Sequence, residues 1–205
     1  TVVDAVVEGR VLWASVREAV AVLLGGNVGE VAVTVGSGLL GARTFSPRQL
    51  LLVNLLTDVV PAMALAARPP RGVSGEDLLA EGPGASLGRA LDRDLRTRAA
   101  VTAAAAAAAW LAARFTGSSA RATTVALVAL VAAQLGQTMR AGRGDPVILA
   151  ACLASLGVLL AAVQVPGVSH LLGCRPVGPL GWGIALAAAG GGTLAASAFA
   201  RCGDG

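Results

Sequence analysis

Lysine and tyrosine are absent from the 205 residues, histidine occurs once, aromatic side chains make up 3% and charged ones only 14%. A soluble domain ordinarily carries about a quarter charged residues, so a water-facing globule is a poor reading. Three cysteines, Cys152, Cys174 and Cys202, are too few and too scattered for a disulfide framework or a Cys-x-x-Cys metal site. The 16 basic residues are all arginine and leave a net charge of +4. Without interleaved aromatics or a basic helix they do not form a nucleic-acid surface, and no nucleic-acid partner is expected. What is plentiful is apolar: 55% hydrophobic residues, 27 glycines and a mean hydropathy of +0.73. Alanine, leucine and valine come in runs of about 20, the length that crosses the hydrocarbon of a bilayer. The chain reads as an all-α membrane protein with the lipid bilayer as its first partner.

Charge, proline and glycine bound six apolar segments, at 19–41, 48–66, 99–113, 123–139, 147–165 and 180–200. The third, with its alanine run from Ala103 to Ala109, has the weakest hydropathy and is the one that reads equally as a surface helix. Six crossings put both ends on one side. With the N-terminus cytoplasmic, the inner loops hold Arg10, Arg17, Arg68, Arg71, Arg89, Arg93, Arg96, Arg98, Arg140 and Arg143, with Arg201 after the last span. The outer loops hold only Arg43, Arg48, Arg114, Arg121 and Arg175. That imbalance obeys the positive-inside rule, so both termini are expected in the cytoplasm. The expected organisation is a cytoplasmic stalk at 1–18, a helical hairpin at 19–66, a cytoplasmic linker at 67–98 with a short amphipathic helix from Leu87 to Arg98, and a four-helix membrane domain at 99–205. Trp13, Trp110 and Trp182 fall near span ends, as interfacial anchors do, and Gly190–Gly192 reads as a close-packing stretch.

Of the 12 acidic residues, only Glu30 and Asp58 fall inside the apolar segments. An ionisable group at mid-bilayer costs at least about 2.5–3.5 kcal/mol on insertion scales, which makes a functional site the default reading. Asn27 lies one turn from Glu30, and Asn54, Thr57 and Asp58 follow at i, i+3 and i+4. The connection at 42–47 is so short that the first two spans are antiparallel neighbours, which places both acids at similar depth. Carboxylates, amides and a hydroxyl are oxygen ligands, the set preferred by hard cations such as Ca²⁺, Mg²⁺ or Mn²⁺. Pro61 has no N–H to return to the carbonyl of Thr57, which frees one more oxygen beside Asp58. Interhelical hydrogen bonding is the competing role for the amides and Thr57. Two acids without an intramembrane basic partner favour an ion site. His170 and Cys174 in the outer loop do not make a metal site.

In order along the chain stand Glu8-Gly9-Arg10, Asn27-Val28-Gly29-Glu30-Val31, Pro47-Arg48-Gln49-Leu50, Val53-Asn54-Leu55-Leu56-Thr57-Asp58 and Pro61-Ala62-Met63-Ala64-Leu65, ahead of Pro69-Pro70. With these motifs the sequence resembles the C-terminal membrane half of a P-type cation-transporting ATPase of the calcium-pump class. The likeness is strong over about the first 70 residues and rests beyond them on span number, spacing and topology. It implies that the six spans are the fifth to tenth helices of such a pump and that 1–17 belongs to the stalk below the phosphorylation domain. Asn27 and Glu30 would then be fifth-helix ligands, and Asn54, Thr57 and Asp58 sixth-helix ligands. Gln134 would fall at the eighth-helix position, where two-ion calcium pumps carry a carboxylate; Gln137 lies one turn on. A neutral amide there implies one ion per cycle or a different cation.

The resemblance further implies transport of Ca²⁺, Mn²⁺, Mg²⁺ or a monovalent cation by alternating access, with protons replacing the ion on the paired carboxylates after release. Mg-ATP would be consumed by upstream phosphorylation, nucleotide-binding and actuator domains of the same polypeptide. The 205 residues contain no Asp-Lys-Thr-Gly-Thr, Gly-Asp-Gly-x-Asn-Asp or Pro-Glu-Gly motif, so no catalytic residue is assigned and a piece of a longer chain is expected. Arginine in place of lysine points to a GC-rich bacterial source and so to a plasma membrane. An ATP-independent secondary transporter or channel subunit, and a structural remnant of a pump, are the alternatives; the lack of an inverted repeat weighs against the former.

Overall fold

A computed structural model describes residues 2–68, 89–142 and 144–202, with the side chains of residues 3, 89, 90 and 196–202 excepted. The described residues are helical, without strands. In chain order the helices are α1 (Val2–Leu39), α2 (Pro47–Ala66), α3 (Arg89–Arg114), α4 (Ser119–Ala141), α5 (Pro146–Gln164), the short α6 (Pro166–Leu171) and α7 (Pro179–Cys202). Four of them, α1, α2, α4 and α5, are long and apolar enough to cross a membrane. α3 is 26 residues long and α7 is 24.

Proline and capping side chains set the helix starts. Ser46 accepts from the Gln49 N–H while the Gln49 side chain accepts from the Ser46 N–H, a reciprocal capping box that opens α2 with Pro47 in its first turn. Asp145 caps α5 by accepting from the N–H groups of Val147 and Ile148 at 2.8 and 3.4 Å, with Pro146 next in line. Ser118 caps α4.

α1 is one uninterrupted helix of 38 residues, so residues 2–18 and the apolar stretch after them form a single rod about 57 Å long at 1.5 Å per residue. One expected boundary changes: the charged stretch up to Arg98 is not a separate amphipathic helix, since from Arg89 onward it is the start of α3. Alanine propagates a helix readily, so nothing between the charged and alanine-rich parts interrupts it. Residues 69–88 of the expected linker, Arg71 among them, lie outside the described residues, as does Arg143.

α4 is the axis of the bundle. Its residues from Ala122 to Val131 are all buried, and it packs against α1, α3, α5 and α7. α3 lies between α1 and α7, burying Val101, Thr102, Ala105, Ala106, Ala109 and Ala113. The third apolar segment is therefore an integral part of the bundle rather than a detached surface helix. α1 comes so close to α3 because glycines face it. A Cβ on Gly25 would stand 2.7 Å from Arg98 Cβ, and one on Gly29 would stand 2.8 Å from Thr102 Cβ and 3.1 Å from the Ala99 carbonyl. The late glycines do less, since Gly190 and Gly191 face open space and only Gly192 meets α3, at Val101.

The two ends of the bundle differ in chemistry. At the end holding the early turns of α1, acids pair with arginines: Arg98 reaches Glu18 at 2.7 Å and Asp94 at 3.0 Å, and Arg68 reaches the buried Asp145 at 3.5 Å. The Ser15 hydroxyl donates to the Arg68 carbonyl at 2.8 Å, tying α1 to the end of α2. At the opposite, hairpin end the links are neutral or one-sided. Arg48 donates to the Leu171 carbonyl at 2.8 Å, and Gln49 to the Gly173 carbonyl at 3.3 Å. Burial pushes the Cys174 thiol above its ordinary pKa, against the opposing pull of the Gln49 amide.

If the glycine seam holds α1 to α3, Gly29→Val overpacks it, since the facing Thr102 and Ala99 backbone have nowhere to go. A loss of about 1–3 kcal/mol is expected, read as a lower melting temperature in detergent. Gly36→Ala, on the same helix with no neighbour within 4 Å of its added Cβ, is expected to be neutral.

Candidate ion site

The polar groups of α1 lie on one helical stripe. Asn27, Glu30 and Thr34 follow at i, i+3 and i+7, turned inward from a helix otherwise apolar on most sides. Glu30 is buried, and its carboxylate accepts from Gln134 Nε2 of α4 at 2.9 Å. Gly26, one turn before Glu30, provides the space: a Cβ there would stand 2.9 Å from Gln134 Nε2. The glycine is a notch into which the amide fits, so two helices meet closely enough for a neutral donor to reach a buried acid.

Donation through Nε2 leaves Gln134 Oε1 buried with no hydrogen-bond partner. Thr34 Oγ1, one turn beyond Glu30, is a second buried oxygen without a partner. Buried polar atoms are nearly always satisfied, so two orphaned oxygens along one polar seam need a reason, and an absent cation or water is such a reason.

Asp58 comes from α2. Its carboxylate is half-buried, lies within electrostatic range of Glu30 and is reached by the Asn27 side chain. The Thr57 hydroxyl stands 2.9 Å from an Asp58 oxygen and 3.0 Å from the Val53 carbonyl; its single proton serves one at a time. Around these groups α2 is not α-helical. Leu55–Val59 form a π turn, ending two residues before Pro61. Without an N–H on Pro61 the ordinary return bond to Thr57 does not form, and the helix widens there.

Asn27, Glu30, Asp58 and Thr57 thus gather between α1 and α2, with Gln134 joining from α4. Asn54 does not join them: it is exposed, on a face turned out of the bundle. The i, i+4 spacing that puts Asn54 beside Asp58 holds for an α-helix, and the π turn between them rotates one relative to the other. Gln137 parts from Gln134 too, donating to Thr102 Oγ1 at 3.0 Å, a link between α4 and α3. Thr34 was missed by sequence reasoning, although its place one turn after Glu30 continues the same stripe.

Chemically this is an acceptor-rich, all-oxygen set of two carboxylates, amide oxygens and hydroxyls, without thiolate or imidazole. Among the described residues no cluster of three or more His, Cys, Asp or Glu occurs. The donors suit a hard cation rather than a soft metal. An all-helical bundle with membrane-length helices and two acids within electrostatic range of each other defines an integral membrane protein with a polar centre.

The family described as Cation transporting ATPase, C-terminus, matches residues 43–201. The chain is 42% identical over 208 residues to a probable cation-transporting ATPase I of Mycobacterium leprae, and 44% identical over 208 residues to a probable cation-transporting ATPase I of Mycobacterium tuberculosis. Each alignment takes in 91% of this chain and 13% of the relative. A probable calcium-transporting ATPase of Trypanosoma brucei brucei is 44% identical over 71 residues, 34% of this chain and 7% of that protein. The chain belongs to the cation-transporting ATPase family, as a C-terminal transmembrane part, and spans about 13% of the length of the curated relatives it matches most fully.

The Gln134–Glu30 bond is open to a double-mutant cycle. Gln134→Leu removes the donor while the acid stays buried, and a loss of about 1–3 kcal/mol is expected in denaturant unfolding. Glu30→Leu with Gln134→Leu removes both partners and is expected to recover most of that loss. If the double variant loses the sum of the Gln134→Leu and Glu30→Leu single losses, the coupling is zero and the bond is worth nothing.

Proposed function

We propose that this chain is the ion-binding membrane part of an ATP-driven pump for a hard cation, with Glu30 and Asp58 as the charged ligands. The observation that carries the proposal is the buried Glu30: it has a neutral partner in Gln134 and an acidic neighbour in Asp58, beside buried oxygens that no protein donor satisfies. Two carboxylates that face each other are stabilised by a cation between them, or by protons once it leaves. Asn27 and Thr57 orient Asp58 and add neutral oxygens. Gln134 presents its amide oxygen once rotated, and its neutrality favours a single ion per cycle. Asn54 offers its amide to whatever covers the outward face of α2.

In this reading α3 and α7 complete six crossings, both ends lie in the cytoplasm, and the membrane is a bacterial plasma membrane. Mg-ATP is consumed by phosphorylation, nucleotide-binding and actuator domains of the longer polypeptide. Phosphorylation moves α1 as a rod, and the Asn27–Glu30 stripe shifts against Asp58. The site then alternates between tight inward-facing and weak outward-facing binding, with proton counter-transport. The cation is Ca²⁺ or one of similar hardness, Mn²⁺, Mg²⁺ or a monovalent ion.

The test is cation-stimulated ATP hydrolysis by the full-length polypeptide in proteoliposomes, scanned over Ca²⁺, Mn²⁺ and monovalent ions. Asp58→Asn is expected to lower stimulation by the transported ion at least about tenfold, the loss of one charged contact, and Asn54→Ala, on the outward face of α2, to leave it unchanged. Unchanged stimulation by every cation in Asp58→Asn would sink the assignment. Proton counter-transport fails separately if ion binding is equally pH-sensitive in wild type and Glu30→Gln.

A further inference from the structure

The hairpin end of the bundle has a charge distribution that ion binding at Glu30 and Asp58 does not use. The turns there carry Arg43, Arg48, Arg114, Arg121 and Arg175, and neither they nor the flanking helix ends contain an aspartate or glutamate. At the opposite end arginine after arginine meets an acid; here none does. Arg48 is occupied by the Leu171 carbonyl, whereas Arg43 and Arg114 are exposed and have no acidic partner among the described residues.

Arg43 lines a cavity, and Arg114 stacks on one of its other lining residues. Between α1, α3 and α4, near the hairpin end, lies an apolar space of about 200 Å³ whose lining includes Ala32, Gly36, Ala103, Ala107 and Trp110, with Arg43 at its edge. Arg114 is not itself in the lining but lies over the ring of Trp110, which is, 4.8 Å from its centroid. The walls combine small residues with the larger apolar side chains of Val33, Leu40, Phe45 and Trp110. A space of this size exceeds the roughly 150 Å³ that holds a benzene, and apolar cavities of that kind stay dry and accept hydrocarbon.

A hydrocarbon slot at membrane depth, with uncompensated cations where the headgroups lie, matches one class of molecule. We propose that this cavity is a binding site for an anionic phospholipid, one acyl chain lying between α1 and α3 and the phosphate held by Arg43 and Arg114. The proposal shares with the pump reading only the premise that the bundle is embedded in a membrane. It does not depend on transport or on the identity of the cation. Arginine suits the role because its planar fork pairs bidentately with phosphate and its face stacks on an indole.

Trp110 provides the readout. In the full-length polypeptide with every tryptophan other than Trp110 replaced by phenylalanine, Trp13 and Trp182 included, and reconstituted into nanodiscs, quenching of Trp110 fluorescence is titrated with brominated-acyl phosphatidylglycerol or brominated-acyl phosphatidylcholine. Half-maximal quenching is expected at a mole fraction roughly tenfold lower for phosphatidylglycerol, the scale of one to two arginines acting on an anionic headgroup. Arg43→Gln with Arg114→Gln is expected to remove that preference while quenching persists. Gly36→Leu fills the slot, where nothing stands within 4 Å of the glycine, and is expected to abolish saturable quenching without loss of the helix. Equal quenching by both lipids in the parent, undiminished quenching in Gly36→Leu, or no quenching by either lipid would each overturn the proposal.

Discussion

Close approach of α1 to the rest of the bundle is the constraint on which the other features rest. Glycine at positions 25, 26 and 29 strips one face of α1 of side chains, so that α3 and α4 come near enough for backbone and short side chains to touch. In lipid this is how helices gain attraction, because there is no hydrophobic drive between surfaces already out of water. The polar centre follows from it. Gln134 reaches Glu30 across the notch at Gly26, and without that reach a buried carboxylate would lie against hydrocarbon at a cost the fold could ill sustain.

Much of this was legible in the residues. The helical hairpin, its antiparallel arrangement and the pairing of Glu30 with Asp58 follow from a short connection and two acids that have no reason to be in apolar runs. Asn27 was placed by period alone. The parts that were not legible depend on how helices meet or on local departures from α geometry. The family resemblance singles out Gln134, but hydropathy and spacing alone do not say that it rather than Gln137 faces Glu30; that is decided by the rotation of α4 about its axis. Asn54 was assigned to the polar face because i and i+4 are neighbours on an α-helix, and the π turn defeats the rule. The unbroken α3 escaped notice for a different reason: a hydropathy reading divides the charged from the alanine-rich part, while helix propensity joins them.

The membrane and the remainder of the polypeptide supply what the bundle alone leaves open. Exposed leucine and valine along α1, α2, α5 and α7 are ordinary lipid-facing or interface residues. The paired charges at the stalk end stand where water and further protein would meet them, whereas the hairpin end presents arginine without acid.

The wide turn at Leu55–Val59 also sets how the sequence can change. A π turn accommodates a residue that an α-helix of the same rise would not, so the segment from Val60 to Ala66 is phased against Pro47–Asn54 by that insertion. Deleting one residue between Leu55 and Val59 would restore a regular helix and turn everything beyond it by about 100°. Pro61, Ala62 and Leu65 would swing away from their contacts, and Ser15 would lose the Arg68 carbonyl. Length in this turn is therefore constrained in its own right: a point substitution changes one side chain, while a single lost codon reassigns a whole helix face.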